Sequence, residues 1–203
     1  MAPPETKVEQ LLRLARERKV LHASDLTSAN IPRAYLARLV DRGLLIQTGR
    51  GTYTSPAADL TENHTLAEVA RQVPAAVVCL LSALRFHGLT TQNPHDVWIA
   101  LPRGTWRPSR AGSAALRVTT LTPGLYSADV EAHLIEGIEV RVYSAVRSVA
   151  DCFRHRNEVG LDVALEALRD YLRAFPEGRD ALWRCARRVK IWSVLRPYLE
   201  ALS

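Results

Sequence analysis

The sequence of 203 residues contains few cysteines, and they lie far apart. There are three, Cys79, Cys152 and Cys185, and no two of them have the C-x₂-C spacing of a zinc site. Neither a disulfide framework nor a structural zinc site is therefore expected. We predict that the three thiols are small buried apolar groups in a reducing compartment.

Long hydrophobic runs are also missing. The most apolar segment, 73–84, is interrupted by Pro74 and Ser82 and is shorter than the ~18 residues that a membrane span requires. The first seven residues do not join a basic segment to an apolar one, so no secretory signal is expected. These absences predict a cytoplasmic protein without membrane association.

Catalytic motifs are missing as well. The sequence contains no G-x-x-x-x-G-K-[ST] loop, G-x-G-x-x-G turn, H-E-x-x-H helix or G-x-S-x-G elbow. The six histidines are scattered, and they do not assemble into a triad. We therefore predict no catalytic residue, no cofactor and no metal site.

Two segments offer weaker patterns of catalytic residues. Gly112-Ser113, followed by Asp129 and Glu131, partly resembles nucleotidyltransferases, in which carboxylates hold Mg²⁺. A β-like run follows Gly112-Ser113 where such a site needs a helix, so this interpretation is disfavoured. In 151–156, His155 stands between two arginines whose charge disfavours its protonation, and a polar helix end is favoured over a catalytic site.

Negative charge is in the minority. The chain has 27 Lys and Arg residues against 21 Asp and Glu residues, which gives a net charge of +6. Half of this excess falls within the first 60 residues. A mild basic excess permits a polyanionic partner without proving one.

The first 55 residues show two helical patterns. Thr6 and Glu9 form a capping box, and the apolar residues behind it recur at helical spacing up to Ala15. A short second helix is expected to open at Ala23 or Ser24.

A longer helix is predicted over 32–42. Pro32 suits a first helical position, because it lacks the amide that would be unpaired there. Leu36, Leu39 and Val40 form one apolar stripe, and Gly43 suits the position just after the helix.

Two β-prone runs, 44–48 and 51–54, follow and are joined by Gly49-Arg50, which predicts a small hairpin. The order of helix, short helix, longer helix and hairpin is typical of a winged helix-turn-helix.

This pattern predicts a DNA-binding surface. Arg38 lies at the centre of the exposed face of the longer helix, and arginine binds guanine O6 and N7 through two parallel hydrogen bonds. Arg33 lies in the first turn, Arg50 at the hairpin tip, and Ser24 near the start of the short helix, where phosphates bind. The alternatives are a solvated face and a protein-binding module. The predicted contacts are Ser24, Arg33, Tyr35, Arg38, Arg42 and Arg50.

A proline-bearing linker, 56–63, is predicted to separate two domains, 1–57 and 64–203. Thr65 and Glu68 suggest a capping box that starts the second domain. Strands are expected over 96–101 and 116–121, a hairpin around Glu136-Gly137, and helices throughout the last third. The predicted fold class is α+β, an N-terminal winged helix-turn-helix followed by a mixed α+β domain that ends in helices.

The stretches 97–128 and 181–199 contain no Asp or Glu. A second basic surface for nucleic acid or an acidic partner is one interpretation, and a solvated surface is the other. The residues of this second basic set are Arg103, Arg107, Arg110, Arg184, Arg187, Arg188 and Lys190.

Taken together, these motifs resemble the AbiEi-type antitoxins of abortive-infection, type IV toxin–antitoxin systems. Pro32 departs from the family pattern, in which a serine-like cap is expected, so a phosphate-contacting hydroxyl is missing there. The N-terminal resemblance rests on Ser24-Asp25-Leu26, Ile31-Pro32-Arg33, Leu36, Arg38-Leu39, Arg42-Gly43, Leu45, Gly49-Arg50-Gly51 and Tyr53. The C-terminal resemblance rests on 77–84, 87–89, 94–102, 142–144, 147–151, 153–156 and 161–168.

The resemblance implies that the first domain binds inverted repeats in its own promoter as an autorepressor, as a monomer or dimer and cooperatively. It also implies that the second domain counteracts a nucleotidyltransferase toxin, whose direct contact with the chain stays open. A ligand-responsive winged-helix regulator is the alternative. A nucleotidyltransferase enzyme using Asp129 and Glu131 is the third hypothesis.

Overall fold

The computed structural model of the protein describes residues 6–18, 21–49, 51–56 and 61–202. The chain forms two compact units. The first unit consists of Met1–Pro74, Arg110–Ala114 and Leu134–Glu139, and the second of Ala75–Ser109, Ala115–His133 and Val140–Ser203. The division into domains 1–57 and 64–203 stays a prediction.

The first unit contains the elements expected of a winged helix-turn-helix, together with one further helix. The capping box at the start of the first helix is confirmed, because the Glu9 amide donates to Thr6 Oγ1 over 3.3 Å and the Thr6 amide to Glu9 Oε2 over 2.8 Å. The elements are α1 (Lys7–Arg18), β1 (Leu21–His22), α2 (Ala23–Ser28), α3 (Ala34–Asp41), β2 (Ile46–Gly49), β3 (Thr52–Thr54) and α4 (His64–Gln72).

The start of α3 differs from the prediction. The helix begins at Ala34 with Arg33 as its N-cap residue, so Pro32 lies before the cap and not at the first helical position. The end of α3 agrees with the prediction. Gly43 adopts a φ of 67°, and the Leu44 amide donates to the Leu39 carbonyl over 2.9 Å, as in a Schellman motif.

The wing is a three-stranded antiparallel sheet in the order β1-β3-β2. Strand β1 was not predicted, and its Leu21 pairs with Tyr53 of β3. The side chain of His22, rather than that of Ser24, caps α2. Buried apolar residues from the helices, from β1 and from the segments on either side of α3 form one core, which consists of Leu11, Ala15, Leu21, Leu26, Ile31, Leu36, Leu39 and Leu45.

The predicted capping box of the next helix is wrong. Helix α4 has Asn63 as its N-cap residue, and no side chain of that residue caps it. Glu68 is only 1% exposed and bonds to Thr48 and Ser113 instead of to Thr65.

The middle of the chain forms a mixed six-stranded sheet, most of whose residues belong to the second unit, while Arg110–Ala114 and Leu134–Glu139 belong to the first. Strand β5 pairs in parallel with β7 and antiparallel with β4, which in turn pairs in parallel with β9. The strand order is β6-β7-β5-β4-β9-β8. The strands are β4 (Val77–Val78), β5 (Val97–Pro102), β6 (Arg110–Ala111), β7 (Ala114–Leu121), β8 (Val130–Ile135) and β9 (Ile138–Tyr143).

The other elements of the second unit are helices, and helices dominate the last third of the chain, as predicted. They are α5 (Leu80–Phe86), α6 (Pro123–Tyr126), α7 (Ala145–Arg154), α8 (Arg156–Val159), α9 (Leu161–Ala174), α10 (Arg179–Arg188) and α11 (Trp192–Ala201). The α+β fold class is therefore confirmed. Within the part of the chain that the structure describes, none of the helices has the length and apolar character of a membrane span.

The three thiols are free and buried, as predicted. All of them belong to the core of the second unit. Burial, followed by the charge of Asp129, raises the pKa of Cys185 to about 12, so this thiol is protonated at neutral pH.

Candidate nucleic-acid interface

Helix α3 buries its leucines and exposes Arg38 and its two cap residues. Leu36 and Leu39 are 3% and 0% exposed and pack in the core of the first unit. Arg33, Arg38 and Arg42 are exposed. A helix held by leucines on one side and carrying outward arginines has the arrangement that insertion into a major groove requires.

The Arg38 side chain is partly ordered by a neighbour on its own helix. Its guanidinium carbon lies 5.7 Å from the centre of the Tyr35 ring, a cation–π contact. Tyr35 is half-buried beside the core, so the ring restrains the arginine while its donors stay accessible. Asp41, three residues further on, is exposed and makes this face only partly basic.

Ser24 is exposed in the first turn of α2, and its Oγ lies 3.0 Å from His22 Nδ1. A phosphate bound here would share the hydroxyl with that imidazole. Arg50 lies outside the described residues. The contacts predicted for Ser24, Arg33, Tyr35, Arg38, Arg42 and Arg50 stay predictions.

Helix α4 is hydrogen-bonded to the wing through side chains that were not predicted as functional. Thr48 Oγ1 of β2 donates to Glu68 Oε1 over 3.1 Å, and Gln72 Nε2 donates to Thr52 Oγ1 of β3 over 2.8 Å. Arg71, on the same helix face, forms an ion pair with Asp25 of α2. The i, i+3, i+4 spacing of these three polar residues indicates that this face of α4 is polar, but it does not identify the residues that the face contacts.

The second basic set, which stays a prediction, has members in both units. Arg110 belongs to the first unit, and the other members belong to the second. Arg188 Nη1 donates to both carboxylate oxygens of Asp129, over 2.6 and 2.7 Å, so its charge is largely neutralised. Arg187 lies over the ring of Trp183 at 5.1 Å, and Arg107 Nη2 donates to Thr120 Oγ1 over 3.1 Å.

The carboxylates weighed as Mg²⁺ ligands have protein partners. Asp129 holds Arg188 and lies 3.9 Å from Arg147 Nη1, while Glu131 Oε2 lies 3.4 Å from His133 Nε2. Within the described residues, no group of three or more His, Cys, Asp or Glu side chains has the spacing of a metal site.

Asp151 forms a buried ion pair with Arg147. Arg147 Nε donates to Asp151 Oδ2 over 2.8 Å, and both side chains are buried. His155 Nδ1 lies 3.1 Å from Glu158 Oε1, in a pair at a helix end as predicted.

Comparisons with known proteins agree with this geometry. Residues 9–56 match the model of a family described as "Transcriptional regulator, AbiEi antitoxin". A search of the curated proteins found no match. Among solved structures, the chain is similar to the crystal structure of the RV2827C protein from Mycobacterium tuberculosis, with a TM-score of 0.50 and 16% identity.

That similarity covers 75% of this chain and 61% of the Mycobacterium protein, so the chain spans about three fifths of its length, and the likeness concerns the fold alone. The family match begins on α1 and ends just after β3, and therefore includes α3 and the wing. Residues 9–56 thus match the transcriptional-regulator model of the AbiEi antitoxins, in agreement with the family resemblance read from the sequence.

Proposed function

We propose that the protein is an autorepressing antitoxin that acts in the cytoplasm and binds inverted repeats in its own promoter through α3 and the wing. The observation that carries this proposal is the two-sided arrangement of α3. Its leucines are buried in the core, its arginines are exposed, and the whole helix lies inside the segment that matches a transcriptional-regulator family.

In the proposed complex, α3 lies in the major groove with Arg38 at a guanine edge. Arg33 and Arg42, at the two ends of the helix, bind phosphates, and Ser24 and the wing residue Arg50 bind the backbone on either side. Phosphate contacts fix the register, whereas the base contact specifies the sequence. One protomer then binds each half of an inverted repeat, as a dimer or as cooperatively bound monomers.

This proposal predicts a specific complex with DNA from upstream of the gene that encodes the chain. An electrophoretic shift assay with that DNA, and with a scrambled duplex of the same composition, measures it. Tighter binding to the upstream DNA by at least the ~10³-fold that separates specific from non-specific binding supports the proposal. Equal binding to both duplexes contradicts it.

The antitoxin activity is proposed to act against a nucleotidyltransferase toxin, with the family match as its support. Co-expression of the chain with a nucleotidyltransferase encoded beside it should restore growth that the toxin alone arrests. Growth arrest that persists at equal toxin levels would show that the chain does not neutralise that enzyme.

A ligand-responsive regulator is favoured by one observation in the second unit. A cleft of about 530 Å³ is lined by Trp98, Arg107, Arg117 and Glu158, and its volume falls in the range of small-molecule sites. An anionic metabolite that copurifies with the chain and weakens its binding to upstream DNA would support this function. If the protein is unfolded, washed free of small molecules and refolded, and its DNA binding is unchanged, this function is contradicted.

A further inference from the structure

The hairpin between β6 and β7 packs against the wing within the first unit. A Cβ atom on Gly49, at the end of β2, would lie 2.4 Å from Gly112 Cα. A Cβ atom on Gly112 would lie 2.2 Å from Glu68 Oε1, and the φ of Gly112 is 58°. Gly49 therefore has no room for a side chain because the Gly112 backbone lies against it, whereas at Gly112 the positive φ and the Glu68 carboxylate disfavour any other residue.

Two residues of α4 join this hairpin tip, residues 110–113, to the wing. Glu68 accepts from Thr48 of the wing and, over 3.3 Å, from Ser113 Oγ of the tip. Gln72 donates to Thr52 of the wing and accepts from the Gly112 amide over 2.7 Å. The tip and the wing are thus held by the same two side chains, which fixes one relative to the other.

Arg110 is the basic residue of this tip. Its side chain is exposed, and its Nη2 donates to the Ser113 carbonyl over 2.6 Å. A guanidinium has five N–H donors, so this bond leaves others for a ligand. Gly112, two residues further on, touches Gly49, and two residues of chain span at most about 7 Å. Arg110 therefore lies next to the wing.

We propose that the hairpin tip is a second DNA-contacting element beside the wing and that Arg110 binds a backbone phosphate. This inference rests on the proposed function, because it assumes that the wing meets DNA. Arginine suits the role, since its planar fork matches phosphate oxygens and carries a permanent charge. The tip thereby extends the interface beyond the 9–56 segment that matches the regulator family.

The test compares Arg110→Ala, Arg110→Lys and the control Arg103→Ala in the full chain. Arg103 is exposed in the same acid-free stretch but belongs to the second unit. Affinity for the upstream duplex is measured by fluorescence anisotropy between about 50 and 200 mM salt, the range in which phosphate contacts weaken steeply. Loss of one phosphate contact makes the slope of log K against log salt less negative by about 0.9. The factor by which affinity falls between the two salt concentrations should therefore be roughly 3.5 times smaller for Arg110→Ala than for the wild type.

The expected result is a flatter slope for Arg110→Ala, a wild-type slope for Arg103→Ala, and a slope near the wild type for Arg110→Lys, which keeps the charge. A wild-type slope for Arg110→Ala would overturn the inference, as would equal flattening by Arg103→Ala. In either case, tighter binding of the wild type to upstream than to scrambled DNA would leave the proposed function standing. Without that preference, the proposed function fails first.

Discussion

Arg147 shows how a single residue organises the second unit. Its side chain is fully buried, donates from Nη1 to the Leu125 carbonyl over 3.2 Å and lies 4.7 Å from the centre of the Tyr143 ring. The Asp151 carboxylate balances its charge four residues along α7. A buried ion pair of this kind costs desolvation free energy, which the additional hydrogen bonds and ring contact offset.

The structure predicts strong coupling between Arg147 and Asp151. Arg147→Met and Asp151→Leu should each lower the free energy of unfolding by roughly 3–5 kcal/mol, because each leaves one buried charge without its partner. The double variant should lose much less than the sum of the two. Urea unfolding of all four proteins measures the coupling, and additive losses would contradict a direct charge pair.

The i, i+4 spacing of Arg147 and Asp151 was visible in the sequence, but burial was not. Charged residues are mostly exposed, so the spacing alone does not place this pair in a core. In contrast, the three buried cysteines were predicted correctly, since their chemistry and spacing excluded other roles.

At the scale of elements, local patterns predicted what local interactions determine. The capping box of α1, the Gly43 end of α3 and the β2–β3 hairpin all depend on residues a few positions apart. Strand β1 was missed because two residues show no periodicity, and it exists only through pairing with β3. The start of α3 shifted by two residues, an ordinary error for helix boundaries.

Helix α4 shows why one local rule failed. The side-chain hydrogen bonds at its N-terminal end are made by Glu136, which lies in the turn between β8 and β9, and not by a residue near that end in the sequence. Glu136 Oε1 accepts from the Thr61 amide, and Glu136 Oε2 lies 2.8 Å from His64 Nδ1. A partner more than 70 positions away in the sequence cannot be found from capping patterns.

Glu136 makes the stability of the first unit depend on pH. Burial tends to raise the pKa of this carboxyl, but hydrogen bonds from His64 and Thr61 outweigh burial and lower the pKa below its usual 4.5. The ionised carboxylate therefore stabilises the fold above about pH 4.5, and this contribution disappears as pH falls through the lowered pKa.

We expect Glu136→Gln to lower the free energy of unfolding by roughly 1.5–3 kcal/mol at pH 7, because hydrogen bonds to a charged group are lost. The difference from the wild type should shrink as the pH falls below 4.5. Glu139→Gln, an exposed change in the same unit, is the control. Unfolding curves between pH 3 and pH 7, a range set to bracket the usual carboxyl pKa, measure both. A difference that is independent of pH would contradict the assignment.

At the scale of the whole molecule, net charge was a poor guide to surface chemistry. The excess of +6 allows a polyanionic partner, yet the sequence could not show which cations are neutralised within the fold. Arg188 is balanced by Asp129, whereas Arg33 and Arg42 have no ion-pair partner among the described residues. Only the fold reveals that Arg110 belongs to the unit that contains α3.

The most direct test of the account is a titration of upstream DNA with the wild type, Arg38→Ala and Arg16→Ala at one salt concentration. Arg16 is an exposed arginine on α1 and serves as the control for loss of charge. The account predicts that Arg38→Ala weakens binding by roughly 1–3 kcal/mol, as expected for loss of a bidentate base contact, while Arg16→Ala stays close to the wild type. If Arg38→Ala binds the upstream DNA as tightly as the wild type, α3 does not read the operator and the central claim is wrong.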